Sequence, residues 1–540
     1  MKVLILSKRI IKEFKMGVID FFDRGWKINP TGIAYYMDGQ EFTYNEIGDL
    51  SCRVANGLIN EGFKKEVKGA VWSTNHPISW TCTLSLWRAG MAWIPINPMS
   101  PEEENASQLD RFDAEVVFFQ KAFAEKIAAI KVKLPQVKIW ICIDGSVEGA
   151  ISLDEFIKPQ PSTPPAIVYD ADDVVAILPT GGTTGAPKGV MNTNRSIGTF
   201  CTHFLIAATY PANTYPVNLA AAPMTHTAGL LSLPTSARGG KVVVVTKPEP
   251  KLIFEIIKNQ KVTEFFLPPT VIYRLLAQLS PTKRRLAKLL KKVDFSSVRY
   301  LFYGAAPMSV DKLKEAIKFF GPIMAGGYGQ SEAPGGISSL RPEEHFKNGI
   351  GGELADDKRL QSVGRPGMFI KVEVMDDENN ILKTGETGEI CVKGDLVMKG
   401  YYNEQQKTDE TIIAGWLHTG DVGHIDDEGY LYITDRKKDM IISGGFNVYP
   451  QSVEQVIWGH PAVQDCAVIG VPDDDWGEAV KAIIELKSGK TVEPAEIISL
   501  CKAKLGSVKT PKTVDFIQEL PRSQNGKVLK KDLRDQYLTH

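Results

Sequence analysis

The residues best placed to do chemistry lie in VVAILPTGGTTGAPKGV, Val174 to Val190. An apolar run leads into a loop in which Gly181, Gly182 and Gly185 let backbone N–H groups turn toward an anion. Thr180, Thr183 and Thr184 add hydroxyl donors, and Lys188 supplies countercharge. Together they suit a triphosphate. A Walker-type loop needs Gly-Lys-Ser/Thr opening a helix. Here Ala186 and Pro187 precede Lys188, Gly189 follows it, and Pro187 has no N–H to donate. A P-loop phosphotransferase is therefore disfavoured. The plain alternative is a Gly/Thr turn that binds nothing.

Four more segments follow in order: GYGQSE (Gly327 to Glu332), HTGD (His418 to Asp421), DRKKDMIISGG (Asp435 to Gly445) and PRSQNGK (Pro521 to Lys527). Taken singly, each has an ordinary reading. Asp421 after a glycine reads as an Asx turn, Lys527 as an exposed lysine in a polar loop, and Glu332 as a solvated carboxylate. Joined to the phosphate loop, the set resembles the adenylate-forming superfamily of acyl-CoA synthetases, adenylation domains and luciferases. The resemblance runs from about Tyr44 to Leu533, and its wording is nearest to bacterial fatty-acyl-CoA or aryl-CoA ligases.

That resemblance implies ATP-dependent activation of a carboxylic acid to an acyl-adenylate, followed by transfer to the thiol of coenzyme A. A carboxylate is a poor electrophile, so it must attack the α-phosphorus and displace pyrophosphate. The protein must then bring anions together by positioning and electrostatics. By resemblance Glu332 holds Mg²⁺, helped by a hydroxyl of Thr180 or Thr184. Tyr328 lies against adenine, within the segment Gly327, Gly329 and Ser331, while Gly304, Ala305 and Ala306 bring backbone close to the base. Asp421 accepts from the ribose hydroxyls, and Arg436 reaches the same sugar. Lys527 bridges carboxylate and α-phosphate, with Lys188 as a second catalytic cation. His226 and Thr227 form the wall between acid and adenylate, with Ala305, Gly327, Ala333 and Gly335 also around the acid. Gly444 and Gly445 face coenzyme A once the small domain has turned about Lys438. Lys527 is thus assigned to the first step and Gly445 to the second. Two departures from the family pattern, Gly181 for serine and Ser331 for threonine, remove no essential group.

The small residues around the acid imply a medium or long aliphatic chain or another bulky hydrophobic acid; an aryl acid with the same mechanism is the alternative. No aspartate near His226 is placed to pair an amino-acid ammonium, and no insertion near the hinge blocks coenzyme A. Luciferase-like oxidation stays open. The contrasting class is a non-catalytic nucleotide- or acyl-adenylate-binding protein, which loss of Lys527, Glu332 or Asp421 would have favoured.

Elements able to carry these residues are legible in the pattern. Strands are expected at Val67 to Ser73, Glu115 to Phe119, Val137 to Ile143, Val174 to Leu178 and Lys241 to Val245, and in VTEFFLP and VRYLFYG. Helical stretches include Ile78 to Ala89 and PKLIFEIIKNQ. This alternation predicts an α/β fold of parallel or mixed sheets. Pro-rich KPQPSTPPA reads as a connection inside the large domain. After DRKKD the chain has its own strands (DMIIS, QDCAVIGV, VKAIIELK) and helices (PQSVEQVI, AEIISLCKAKLG). The expected division is a large domain over 1–434 and a small mobile α+β domain over 435–540.

At 540 residues more than one domain is needed, and 43% hydrophobic with 24% charged residues is a globular composition. With 63 basic and 64 acidic residues no overall field favours nucleic acid. Seven scattered cysteines make no CxxC pair, so neither a disulfide framework nor a zinc site is expected. No apolar run reaches a membrane span, and the charged N-terminus does not read as a secretory signal. Met16 is an alternative start and the cytoplasm the default compartment. PTKRRLAKLLKKV reads as a solvated amphipathic helix, with weak membrane-surface or coenzyme A phosphate contact as the alternative. The oligomeric state, a homodimer included, stays open.

Overall fold

The computed structural model describes residues 16–180, 187–225, 227–277, 294–522 and 527–538. PTKRRLAKLLKKV and the residues before Met16 lie outside them.

Among the described residues the chain forms an α/β fold with four sheets. One has nine strands, in the order Arg365–Pro366, Ala333–Leu340, Met324–Gln330, Tyr300–Gly304, Glu264–Leu267, Val217–Ala220, Lys241–Val244, Ile33–Met37, Gln40–Thr43. A second has eight and carries Val174–Thr180 beside Lys188–Thr193 and Ala92–Pro95. Their central pairings are parallel and largely buried, as expected of apolar runs covered by helices on both faces. Helices start where the sequence supplies caps. Thr43 and Glu46 form a capping box for Tyr44–Asn60, Pro77 opens Pro77–Arg88, and Thr193 accepts from Ser196 N at 3.2 Å to start Asn194–Ala207. One large buried cluster joins the two sheets through these helices and includes Trp80, Trp87 and Trp93, packed edge to face.

A third sheet, which the pattern did not reveal, is antiparallel. It joins Ile370–Met375, Gly388–Gly394, Trp416–Ile425 and Ile412–Ile413, with Leu431–Arg436 on the other side of Trp416–Ile425. Gly, Thr, Asp and His interrupt its strands, so alternation is weak there. Beyond it a smaller C-terminal domain forms around Val463–Asp473 and Gly477–Leu486, joined by Ile441–Ser443, Phe446–Val448 and Thr513–Ile517. Its buried clusters draw only on residues of this C-terminal stretch, which therefore has a core of its own. Gly444 and Gly445, at φ 59° and 79°, make the two-residue turn between Ile441–Ser443 and Phe446–Val448. Positive φ at both positions is the type I′ form of a two-residue hairpin, and this explains the glycine pair.

The seven cysteines are all free and buried. No helix among the described residues is long and apolar enough to cross a membrane.

Candidate active site

A cavity of about 1080 Å³ opens where the C-terminal edges of the large sheets meet the antiparallel sheet and the small domain. Thr180 and Lys188 border it from a hairpin. The strand Val174–Thr180 pairs antiparallel with Lys188–Thr193, and the phosphate loop is the connection between them. Gly181, Gly182, Thr183, Thr184 and Gly185 lie outside the described residues.

Tyr328, Asp421 and Arg436 form a chain at one end. The Tyr328 hydroxyl donates to Asp421 Oδ2 at 2.5 Å, and Arg436 Nε lies 2.6 Å from Asp421 Oδ1. Pairing of Trp416–Ile425 with Leu431–Arg436 sets Asp421 opposite Arg436, so the contact follows from register. Burial pushes the Asp421 carboxyl up and the Arg436 guanidinium partly offsets this. Burial and the Asp421 charge hold the Tyr328 phenol well above its ordinary value, so it stays a donor. Gly304 is paired with Gly327 in the nine-stranded sheet, and a Cβ on it would fall 2.5 Å from the Gly327 carbonyl oxygen. Ala305, on the cavity wall, has φ +65°, a left-handed conformation that costs a non-glycine residue about 1–2 kcal/mol. Strain of this kind is retained where surrounding structure over-determines it.

Glu332 borders the cavity beside Gly329 and Ser331, and its Oε1 accepts the Tyr401 hydroxyl at 2.8 Å. Lys188 Nζ lies 4.5 Å from the centre of the Tyr401 ring. Tyr401 is in place because Gly400–Tyr401 adds a short strand to Lys188–Thr193. Its role was not read from the sequence, since nothing local marks a tyrosine that pairs with a strand two hundred residues away. His418 was also missed as a wall residue. It borders the cavity with Nδ1 3.3 Å from Glu389 Oε2 and 3.5 Å from Cys391 Sγ. Burial and Glu389 push the Cys391 thiol up to about 12, so it is no nucleophile.

Lys527 reaches the cavity from the small domain, and Lys438 borders it too. Its side chain keeps contact with solvent in the cleft between the domains, yet desolvation and the Arg436 guanidinium push its ammonium down to about 8. Asp421 and Asp439 pull the other way.

Another part of the lining is apolar. Helix Asn194–Ala207 presents Phe200, His203, Phe204 and Ala207 on one face, and Phe302, Gly335 and Met368 continue the wall. None but Gly335 was expected there. His226 and the Thr227 side chain lie outside the described residues. Ala305, Gly327 and Gly335 border the cavity; Ala333 is fully buried behind it, and Ala306 lies off the lining. Gly444 and Gly445 lie off it as well.

Among the described residues no cluster of three or more His, Cys, Asp or Glu could hold a metal by protein groups alone. Glu332 offers one hard anionic oxygen donor set beside the phosphate hairpin. That fits a Mg²⁺ held chiefly by phosphate oxygens and water.

Comparisons with known proteins give the family. Residues 22–402 match the AMP-binding enzyme family and residues 452–527 the AMP-binding enzyme C-terminal domain. The chain therefore belongs to the AMP-binding enzymes, the adenylate-forming ligase class. It is 38% identical over 439 residues to the medium/long-chain-fatty-acid–CoA ligase FadD8 of Mycobacterium tuberculosis (strain ATCC 25618 / H37Rv), covering 79% of this chain and 72% of that protein. It is 32% identical over 514 residues to a feruloyl-CoA synthase of Amycolatopsis sp, covering 95% and 97%. The amide bond synthetase McbA from Marinactinospora thermotolerans superposes with a TM-score of 0.85 at 26% identity, covering 96% of this chain and all of that one.

Proposed function

We propose that this chain joins a medium- or long-chain fatty acid to coenzyme A through an acyl-adenylate formed from ATP. The observation that carries the reading is that the lining of one cavity includes both Lys188, Glu332, Arg436 and Lys527 and an apolar wall of Phe200, Phe204 and Phe302.

Adenine lies along Tyr328 and the Gly304–Ala305 backbone, whose missing or small side chains leave room for a flat base. Asp421 is the ribose acceptor; its partners Tyr328 and Arg436 hold the carboxylate in place before the sugar arrives. Glu332 and Thr180 would hold Mg²⁺, which would supply neutralisation of phosphate charge. Lys188, braced against the Tyr401 ring, faces the outer phosphates. Lys527 neutralises both the attacking carboxylate and the α-phosphate, and so lowers the repulsion between two anions that must meet.

The acid tail runs between Phe200, Phe204 and Met368, where burial of each methylene is worth about 0.8 kcal/mol. In this arrangement Lys527 is at the cavity and the Gly444–Gly445 turn is away from it, as the first step requires. We place the domain junction between residues 434 and 435, with Lys438 as the hinge that exchanges them for the second step. A small-molecule acid and coenzyme A are then the partners.

The test is pyrophosphate release with ATP and Mg²⁺ across aliphatic, aryl and polycyclic acids, each with coenzyme A, with an amine, or with neither. Pyrophosphate driven by aliphatic acids, with a thioester formed only when coenzyme A is present, supports the reading. Release driven by aryl acids alone moves it to an aryl-CoA ligase, which the feruloyl-CoA synthase relative favours. Amide formation in preference to the thioester would overturn the choice of acceptor. ATP binding without release for any acid would favour a binding protein.

A further inference from the structure

The helix Lys530–Leu538 begins three residues beyond Lys527. Its Lys530 and Arg534, spaced i and i+4, lie one above the other on the same face. Opposite them are acids of the hinge region and its neighbour. Arg534 Nη2 is 2.8 Å from Asp439 Oδ1, in the short turn Lys437–Asp439, and Lys530 Nζ is 2.8 Å from Glu454 Oε1, on the helix Pro450–Trp458. Glu454 also accepts Val468 N at 2.8 Å. Glu454 is buried and the other three are half-buried. Burial works against the Lys530 ammonium, but Glu454 and Asp435 outweigh it and hold it above its ordinary value. Burial likewise opposes the Asp439 carboxylate, and Lys530 and Arg534 outweigh that.

The described residues on either side of Lys527 are joined as well. Arg522 bridges to Val528, and Leu529 N donates to the Pro521 carbonyl at 2.8 Å. Arg522 in turn reaches Asp465 at 2.7 Å and Glu485 at 3.3 Å on the small domain's central strands. Asp439, Glu454, Lys530 and Arg534 all follow Lys438 in the chain, so a rotation about Lys438 leaves their pairs intact. Asp435 precedes it and accepts Gln451 N at 2.7 Å, a contact that spans the hinge.

We propose that Arg534 and Lys530 are positioning residues for Lys527. Through Asp439 and Glu454 they tie the helix that follows Lys527 to the residues just beyond Lys438. The inference rests on the reading that Lys527 serves the first step. A lysine bridging two anions must be held to a fraction of an ångström, since a shift of about 1 Å costs about 100-fold in rate.

The experiment measures single-turnover adenylation, and separately thioester formation from supplied acyl-adenylate, for Arg534→Ala, Arg534→Lys, Asp439→Asn and the double variant Arg534→Ala/Asp439→Asn. Arg534→Ala and Asp439→Asn should slow adenylation by about 10- to 100-fold. Thioester formation and the KM for ATP should change less than about twofold, Arg534→Lys should recover part of the rate, and the double variant should be no slower than the slower single one. Wild-type adenylation in Arg534→Ala, or an equal loss in both half-reactions, would overturn the inference. If Arg534→Ala does not fold, Arg534→Lys and Asp439→Asn carry the same comparison. Lys527→Ala separates the two levels. An unchanged adenylation rate there defeats the reading of Lys527 itself; a slow one beside a normal Arg534→Ala defeats only the clamp.

Discussion

The two ends of the cavity are built on different plans. In the part proposed for the nucleotide, charged and polar groups arrive on short contiguous segments at strand ends, each fixed by register. Asp421 faces Arg436 across paired strands, and Lys188 pairs with Thr180 across the phosphate hairpin. At the acyl end, the wall is collected from distant places: one face of the helix Asn194–Ala207, then Phe302, Gly335 and Met368. Phosphate and ribose chemistry needs particular donors at particular points. An aliphatic tail needs only shape and apolar surface, which many sequences supply. Substitutions at the nucleotide end should therefore slow every acid alike, whereas those at the acyl end should reorder the acids.

The largest effect is expected at Lys527. Lys527→Ala should slow adenylation by about 100- to 1,000-fold for all acids, as removal of a preorganised charge does. The second half-reaction, from supplied acyl-adenylate, should survive. The same residue sets a pH dependence. Its ammonium sits near 8, so the cationic form dominates below that pH and is lost as pH rises through it. Adenylation should fall over that range in the wild type, and Lys527→Arg should remove the fall. Because desolvation disfavours the charge in the folded state, Lys527→Met should melt no lower than wild type at neutral pH.

Next is Asp421→Asn, which weakens the bonds to Tyr328 and Arg436. It should raise the KM for ATP by about tenfold with every acid, from roughly 1.5 kcal/mol of charge-assisted hydrogen bonding. At the other end, Phe204→Trp should cut kcat/KM for the longest chains by about tenfold and spare short ones, with ATP binding unchanged. An equal loss for all chain lengths would break the contrast between the ends.

Smaller effects belong to the backbone. Gly445→Ala places a side chain at φ 79° and should cost about 1–2 kcal/mol on denaturation, with loss confined to thioester formation. Smallest of all, Ala305→Gly should raise stability by at most about 1 kcal/mol, because relief of the left-handed alanine is partly cancelled by entropy gained in the unfolded chain.

The same contrast explains what could be read beforehand. The helix at Ile78 to Ala89 and the strands at Glu115 to Phe119 and Lys241 to Val245 appear within a residue or so, because each has its own periodicity and boundary signals. The small domain's strands at DMIIS, QDCAVIGV and VKAIIELK are present with ends shifted by up to three residues, while Phe446–Val448 and Thr513–Ile517 were not read. The antiparallel sheet through Trp416–Ile425 did not stand out, since its pairing is long-range and its strands carry turn-forming residues. Asp421, Glu332 and Lys527 were legible as members of short motifs. Tyr401 was not, because it acts only after Gly400–Tyr401 has paired with Lys188–Thr193. Phe200, His203 and Phe204 look like any apolar helix face until the helix is docked. The structure shows which face that is; local pattern does not.

The most direct measurement is acid-dependent ATP–pyrophosphate exchange, run with a series of fatty acids and with ferulate, on wild type and Lys527→Ala side by side. Exchange that grows with chain length through the medium-to-long range, exceeds that with ferulate, and collapses in Lys527→Ala is the expected result. Exchange that is independent of acid, or that persists without Lys527, would contradict the claim that one cavity brings a fatty carboxylate and ATP together under that lysine.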